Sequence, residues 1–439
     1  MDKLATITRI GACMNKVPYA WIPIIGSIYN KNRKSIKQME SMSIDEKKQH
    51  IFNKVYTMVK HAIDHVPFYQ EFYATHGFSL NMLHSFDDIE KIPIITKKDL
   101  MAVPLERRSV KTKMSFVANT GGSTGIPLSF YKTRQDQIKE NAYYYHAWSK
   151  LGYKQSDLRF QFVGRSESKA IGYDIMRNRL TGSVYKPFNE LLEELAKICR
   201  NNNVSYLQGY PSVLYEFALF VESHPDLMST TGLKDKIRGI FLNSEYPYPE
   251  YRKKIEEVLG AGSIASYGHT EGCALAYDYG DQIYHVEQSY GYAEALQMGD
   301  ETRIVCTNYD NFASPFIRYD TGDVVDNAHI EQGLLLSFCM TSGGRSGQYI
   351  IDKNGKRISL TGLIFGRHHK LFNYCSQMQI AQSAPGTATV YYVAQENDLQ
   401  GLSPNTLFDT NDIAMDFVFE RIDQPIRTKA GKVLLLVKQ

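Results

Sequence analysis

The sequence is short of the residues that would make it a disulfide scaffold, a metal finger or a membrane-spanning chain. Its 6 cysteines, at positions 13, 199, 273, 306, 339 and 375, are scattered and form no Cys-x-x-Cys pair. Neither a disulfide framework nor a zinc finger is indicated, and a reducing cytoplasm is the expected compartment. Of the histidines, His269, His368 and His369 show no metal-ligand spacing. Long apolar runs are missing as well. The one candidate, Val17 to Tyr29, carries Pro18 and Pro23 and is about half the ~20 residues a membrane span requires. It lacks the continuous apolar core and small-residue cleavage site of a signal peptide. The stretch is expected to pack against the main body, and with Trp21 and the following basic run, Lys31, Arg33, Lys34 and Lys37, peripheral contact with a membrane surface is the alternative. Charge of either sign is not in excess: the net charge of +3 does not imply nucleic acid. Low-complexity segments and internal repeats are absent, and nothing signals an oligomeric state.

What is present argues for a folded α/β chain. Hydrophobic residues make up 43%, charged residues 22%, and there are 30 tyrosines, a globular composition. The length of 439 residues implies roughly two or three domains. Residues 44 to 76 have helical periodicity, with Ile51, Val55, Met58, Val59 and Ala62 on one face and Pro67 as the interruption. A capped helix is expected near Thr96. A strand at 128–132 precedes a helix capped by Thr133 and Asp136, whose apolar face is Ile138, Ala142, Tyr145 and Trp148. Alternation then predicts helix 190–202, strand 204–209, helix 211–223 opened by Pro211, strand 237–243, helix 249–259 closed by Gly260, and strand 263–268. Such βα alternation builds a parallel sheet with right-handed crossovers. Residues 283–340 read as a β-rich subdomain and 343–347 as a linker. A small α+β unit follows, beginning with a hairpin at Asp352–Gly355. The division expected is 1–344, a large N-terminal domain, and 345–439, a small mobile C-terminal one.

The densest chemical signal is Asn119-Thr-Gly-Gly-Ser-Thr-Gly-Ile-Pro-Leu128. Gly121, Gly122 and Gly125 allow positive φ and close backbone approach to an anion, while Thr120, Ser123 and Thr124 add hydroxyl donors. It is not a Walker loop, because Ile126 and Pro127 follow where Lys-Ser/Thr is required. In an open parallel sheet, ligands sit beyond the carboxyl ends of the strands. Here those ends carry Gly209 and Tyr210, then Ser244 and Glu245, then Tyr267, Gly268, Thr270 and Glu271.

These segments resemble the signatures of the adenylate-forming (acyl-CoA ligase) superfamily. The glycine loop is similar to its Thr-Ser/Gly-Gly-Ser/Thr-Thr-Gly-x-Pro motif, and Tyr267-Gly-His-Thr-Glu271 to its Tyr-Gly-x-Thr/Ser-Glu. Arg318-Tyr-Asp-Thr-Gly-Asp323 is similar to Arg-Tyr-x-Thr-Gly-Asp. Val66-Pro-Phe-Tyr69 and Ile92-Pro-Ile-Ile-Thr-Lys-Lys-Asp-Leu100 resemble the phenylacetate-CoA ligase family and, within it, the CapK-like branch associated with capsular polysaccharide biosynthesis. The resemblance implies a large adenylation domain with parallel βα sheets plus a mobile lid. It implies that Tyr267 lies against adenine, Thr270 contacts the α-phosphate, Glu271 holds Mg²⁺, Asp323 binds the ribose hydroxyls and Arg345 lies near the ribose.

Arg427-Thr-Lys-Ala-Gly-Lys432 resembles the family's closing loop, whose lysine follows a glycine, and this makes Lys432 the candidate catalytic lysine, with Lys429 the competitor. The implied reaction is ATP-dependent activation of a small carboxylic acid as acyl-AMP and transfer of the acyl group to a thiol, coenzyme A, or to an amine such as an amino sugar. Acyl-pocket residues are implied at Tyr210–Val213, Asn243–Glu245 and after Glu271. The pattern departs at the hinge, where Ser346, Gly347 and Gln348 follow Arg345 in place of an acidic or lysine residue. That departure motivates a third reading, a non-catalytic nucleotide-binding scaffold. Some relatives hold zinc on a Cys and His cluster beyond the glutamate. Cys273 and His285 lie in that region here, but no closely spaced second cysteine follows, so no zinc is expected.

Overall fold

The computed structural model describes residues 3–120, 128–164, 169–233, 236–345, 349–364, 367, 369–394, 399, 401–411, 413–428 and 431–437. The chain opens with four helices, α1 (Lys3–Met14), α2 (Ile25–Ser41), α3 (Ile44–His65) and α4 (Pro67–Thr75). α3 starts at a capping box in which Ser43 and Glu46 exchange hydrogen bonds, satisfying N–H groups that have no partner within the helix. Its stripe of Ile51, Val55, Met58, Val59 and Ala62 is fully buried, as the periodicity predicts. Pro67 opens α4, where a missing N–H costs nothing. Thr96 and Asp99 cap α5 (Lys97–Met101) in the same reciprocal way.

β1 (Ser115–Asn119) and β2 (Ser129–Thr133) form an antiparallel hairpin around residues 120–128. α6 (Arg134–Trp148) follows, capped by Thr133 and Asp136. Its buried face includes Ala142, Tyr145 and Trp148 as expected, but Lys139 takes the buried place assigned to Ile138. The Lys139 ammonium is held 2.8 Å from Asp310 Oδ2 and 2.6 Å from the Tyr290 carbonyl, so its charge is compensated where a bare one would be excluded.

The central alternation continues as β3 (Leu158–Val163), β4 (Ile171–Asp174), β5 (Arg179–Ser183), α7 (Phe188–Cys199), β6 (Val204–Gly209), α8 (Pro211–Ser223), α9 (Pro225–Thr231), β7 (Gly239–Asn243), α10 (Pro249–Leu259) and β8 (Ser263–Gly268). β5, β3, β6, β7 and β8 lie side by side and parallel. Every residue of β6 is buried, as in a sheet covered on both faces. α10 stops at Gly260, whose φ of +68° lets its N–H reach back to Glu256.

From β8 the same sheet turns antiparallel through β9 (Leu275–Asp278), β10 (Tyr284–Val286), β11 (Gly291–Met298), β12 (Glu301–Asn308), β13 (Tyr319–Glu331) and β14 (Leu334–Arg345). The order β11-β12-β13-β14-β10-β9-β8-β7-β6-β3-β5-β4 makes one sheet of 12 strands. The expected β-rich subdomain is therefore a continuation of the parallel sheet. The linker read at 343–347 is corrected for 343–345, which finish β14. The ladder places Arg345 opposite Asp323, and its backbone pairing overrides the flexibility that Gly343 and Gly344 suggest. Residues 346–348, which include the hinge candidate Gly347, lie outside the described residues.

Beyond them, β15 (Tyr349–Ile351) and β16 (Arg357–Ser359) form the predicted hairpin. Asp352 Oδ1 accepts from the N–H groups of Asn354 and Lys356, both at 2.8 Å. Then come α11 (Leu360–Ile364), β17 (Gln377–Ala384), β18 (Thr387–Val393), α12 (Pro404–Leu407), β19 (Asp416–Ile422) and β20 (Leu436–Val437). A second sheet, in the order β19-β18-β17-β20, covers its own core of Ile350, Leu363, Met378, Ile380, Val390 and Phe408. Among the described residues no helix is long and apolar enough to cross a membrane.

Candidate active site

Because β3, β5, β6, β7 and β8 are parallel, their carboxyl ends share one edge of the sheet, where side chains on the following turns converge. After β7 the chain passes through Ser244, a non-glycine residue at φ +68°, a conformation that costs on the order of 1 kcal/mol and persists only where surroundings impose it. That turn aims Glu245 at the first turn of α8, where its Oε2 accepts from the Ser212 N–H at 3.1 Å. Its Oε1 accepts from the Val433 N–H, near the C-terminus, at 2.8 Å. Enclosure raises the Glu245 carboxyl above its usual range, against the opposing pull of the Ser212 hydrogen bonds and of the nearby Lys432 charge.

Between β8 and β9 the turn is closed by the Gly272 N–H donating to the His269 carbonyl at 3.0 Å, with Gly272 at φ +70°. Tyr267, the penultimate residue of β8, donates its hydroxyl to Asp323 Oδ2 at 2.9 Å. Burial, and then the charge of Asp323, lifts the Tyr267 phenol well above its ordinary pKa, so it acts as a neutral donor. Asp323 is itself set by a tight turn in which Gly322 N–H donates to Asp320 Oδ1 at 2.8 Å and Asp323 N–H to Thr321 Oγ1 at 3.1 Å. Arg318, at the head of the same motif, is structural: it pairs with Glu294 at 3.0 and 3.1 Å and donates to the carbonyls of Glu90 and Ile92, tying the N-terminal helical region to the sheet.

Thr270 is partly buried and Glu271 is only 7% exposed. Among the described residues no donor meets the Glu271 carboxylate. A carboxylate is the hard oxygen ligand that suits magnesium held jointly with phosphate and water.

The spacing that argues against a metal-competent cysteine cluster misses a contact made by the fold. Cys306 arrives on β12 and meets Cys273 and His269, all three ligand atoms lying within 4.8 Å of one another. His269 Nε2 is 3.4 Å from Cys306 Sγ, and the buried His269 Nδ1 has no partner among the described residues. Burial, reinforced by Cys273, pushes the Cys306 thiol well up. His285, the histidine that sequence proximity suggests, is exposed and faces Asp281 at 3.6 Å.

The closing loop reaches these strand ends from the second sheet. Thr428 and Lys432 bracket a turn, with Thr428 N–H to Lys432 O at 2.9 Å and Gly431 N–H to Thr428 O at 2.8 Å. Gly431 has φ +79°, and a Cβ there would lie 2.6 Å from Gly164 Cα and 2.9 Å from Val184 Cγ2. Only glycine lets this turn settle on the ends of β3 and β5. Tyr185 donates to the Thr428 carbonyl at 3.2 Å. Arg427 grips Glu216 on α8 with Nη2 2.8 and 2.7 Å from the two carboxylate oxygens, and Gln377 donates to Glu216 Oε1 at 2.9 Å. Sequence reasoning misses Glu216 and Gln377, since a contact between two lobes leaves no local pattern.

Of the residues singled out from sequence, the fold therefore gathers Ser244, Glu245, Tyr267, Gly268, Thr270 and Glu271 on one strand edge and brings the Lys432 loop to it. Asp323 is joined to Tyr267, and the backbone of Arg345 stands opposite Asp323. Thr120 closes the mouth of the glycine loop, donating its N–H to the Leu128 carbonyl and accepting from the Leu128 N–H, both at 3.0 Å. Gly121, Gly122, Ser123, Thr124 and Gly125 lie outside the described residues, as does Lys429.

No family model matches the chain. It is 24% identical over 321 residues to Protein CapK of Staphylococcus aureus, covering 70% of this chain and 69% of that one. It is 24% identical over 325 residues to phenylacetate-coenzyme A ligase of Pseudomonas putida, covering 67% and 70%. Among solved structures, 2-hydroxyisobutyryl-CoA ligase in its postadenylation state, in complex with R3-HIB-AMP, superposes with a TM-score of 0.67 at 17% identity over 91% of both chains. The same ligase in its thioesterification state superposes with a TM-score of 0.51.

Proposed function

We propose that this chain, similar to phenylacetate-coenzyme A ligase and folded like 2-hydroxyisobutyryl-CoA ligase, is an AMP-forming acid ligase that activates a small carboxylic acid with ATP and hands the acyl group to the thiol of coenzyme A. In the first half, a carboxylate oxygen of the acid bonds to the α-phosphorus of ATP. The bond to the β-phosphate breaks, and pyrophosphate leaves. In the second half, the thiol sulfur attacks the acyl carbon and AMP departs with the bonding electron pair. The CapK-like resemblance favours a place for this reaction in surface polysaccharide biosynthesis.

The observation that carries the reading is the Lys432 loop seated on the ends of the parallel strands, with Gly431 against Gly164 and Val184 after β3 and β5 and the Val433 N–H on Glu245 after β7. Lys432 stabilises the charge that develops as pyrophosphate leaves, and the loop 120–125 receives the β- and γ-phosphates through backbone and hydroxyl donors. Ser244, Glu245 and Gly268 frame the nucleotide, Tyr267 lies against the adenine, and Asp323 accepts from the ribose with Arg345 beside it. Thr270 contacts the α-phosphate. Magnesium, when bound at Glu271, supplies the positive charge that the glycine loop lacks. The better superposition on a postadenylation than on a thioesterification conformer supports reading the second sheet as a lid positioned for the first half-reaction.

Carboxylate-dependent exchange of labelled pyrophosphate into ATP, screened over aryl, hydroxy, short-chain and amino acids, tests the proposal. Glu271→Ala and Lys432→Ala should each lower exchange by on the order of 10² to 10³; variants within a few fold of wild type would sink the assignments. ATP binding without exchange on any acid would instead identify a scaffold. Supplying coenzyme A or an aminosugar nucleotide and weighing the products separates a thiol from an amine acceptor.

A further inference from the structure

The first helix is mounted inside out. α1 turns Ala5, Thr8 and Gly11 toward the body, as does Asn15 just beyond its end. Asn15 donates to the Ile175 carbonyl at 2.8 Å, and Gly11 is so close to Tyr173 that a Cβ would lie 2.0 Å from its hydroxyl. The opposite, solvent-facing side carries Ile7, Ile10 and Met14, at helical spacing and 39%, 54% and 57% exposed. The apolar surface continues along the chain through Val17 to Trp21 and Ile24, which are 77% and 78% exposed. A soluble surface has no reason to spend its largest aromatic side chain in this way, and clustered exposed apolar groups mark an interaction site.

The same region is strongly cationic. From Lys3 to Met39 there are seven Lys and Arg residues and no Asp or Glu. The 50 basic residues of the chain less these seven leave 43 against 47 acidic ones, so the remainder is net acidic. α2 is held by its buried Gly26, Asn32, Ile36 and Met39 and presents Arg33, Lys34 and Lys37 around one open depression. That depression adjoins the apolar segment: Asn30, on its rim, donates to the carbonyl of Ala20, next to Trp21, at 3.2 Å.

We propose that residues 7–37 dock the protein on an anionic lipid bilayer, with Trp21 and Ile24 entering the headgroup boundary and the α2 cations meeting lipid phosphates. Trp is suited to that depth, having an apolar body and one polar N–H. Basic side chains beside it add attraction only where lipids carry negative charge. A second copy of this chain is disfavoured as the occupant, because a symmetric contact through this face would bring the Arg33, Lys34 and Lys37 clusters of two copies together.

The chain carries its own probe, since of its 2 tryptophans Trp148 is buried and Trp21 is exposed. Vesicles of phosphatidylcholine with about one third phosphatidylglycerol should sediment the full chain and shift its tryptophan emission to the blue. Vesicles of phosphatidylcholine alone should do neither, and about 0.5 M salt should release the protein. Arg33→Gln/Lys34→Gln/Lys37→Gln should weaken partitioning by on the order of 10²-fold, and Trp21→Ser/Ile24→Ser by at least about 10-fold. Both variants should keep the wild-type circular dichroism and unfolding midpoint. Wild-type protein left in the supernatant with unshifted emission would overturn the proposal without any variant. So would folded variants that bind like wild type, or a concentration-dependent dimer with no vesicle binding.

Discussion

Arg427 and Glu216 join the two sheets of the molecule through a two-pronged ion pair, one guanidinium nitrogen reaching both carboxylate oxygens at 2.7 and 2.8 Å. The pair sits beside the turn that carries Lys432, so it acts on that lysine's position. Burial pushes the Glu216 carboxyl up to about 7, against the opposing charge of Arg427. Removing either partner leaves the other enclosed without its counter-charge, which is the costly case. Arg427→Ala and Glu216→Gln are each expected to lower pyrophosphate exchange about 10-fold. The double variant should be little worse than either single one, because the pair works as a unit. Additive losses would show that the two residues act separately.

Gly431→Ala tests the seat of the closing loop without touching charge. The new Cβ meets Gly164 Cα at 2.6 Å in a backbone at φ +79°, so the loop must lift. We expect exchange to fall about 10- to 100-fold with ATP affinity kept, as measured by calorimetry, since a displacement of about 1 Å is enough to cost that much in a positioned step. Unchanged exchange would mean that the docked loop is not the working arrangement.

Tyr267→Phe isolates one hydrogen bond. Losing the 2.9 Å contact to Asp323 should cost about 0.5–1.5 kcal/mol, read as a 2- to 10-fold higher KM for ATP with kcat nearly the same. Asp323→Ala removes the acceptor itself and should raise that KM by at least about 10-fold. A Tyr267→Phe loss confined to kcat would place Tyr267 in the chemical step instead of in binding.

Glu287 supplies a pH signature that involves none of the candidate site residues. Burial, with the charge of Glu40 adding to it, pushes its carboxyl from 4.5 up to about 7. The folded state then holds a proton that the unfolded state has already released, so this group's contribution is present below pH ~4.5 and lost as pH rises to about 7. Glu287→Gln should match wild type near pH 4.5 and exceed it at pH 8 by on the order of 1–3 kcal/mol, measured from urea midpoints. A difference that does not grow with pH would contradict the assignment.

Local chemistry made much of this fold legible. Pro211 and Pro249 mark the first turns of α8 and α10, and Gly260 marks the end of α10, because each residue's backbone restriction acts where it stands. The strand-end residues follow from the same alternation, since parallel strands force their carboxyl ends to one edge. What the sequence conceals is contact between distant segments. Lys139 is buried in place of Ile138 because Asp310 and the Tyr290 carbonyl await it. Cys306 meets Cys273 because β12 and the turn after β8 are brought together by the sheet. Gly343 and Gly344 read as a linker because the strand they belong to pairs with β13, about twenty residues upstream.

Under the proposed roles, the continuity of the 12-stranded sheet would separate recognition from turnover. Tyr267 on β8 and Asp323 on β13 belong to one hydrogen-bonded plate, joined through β9, β10 and β14, whereas Lys432 is carried by the other sheet. Rotating one sheet against the other would carry the lysine away and leave the Tyr267–Asp323 spacing as it is. A nucleoside held by that spacing would stay in register while the lysine comes and goes, so the adenylate formed in one half-reaction need not be grasped anew for the next.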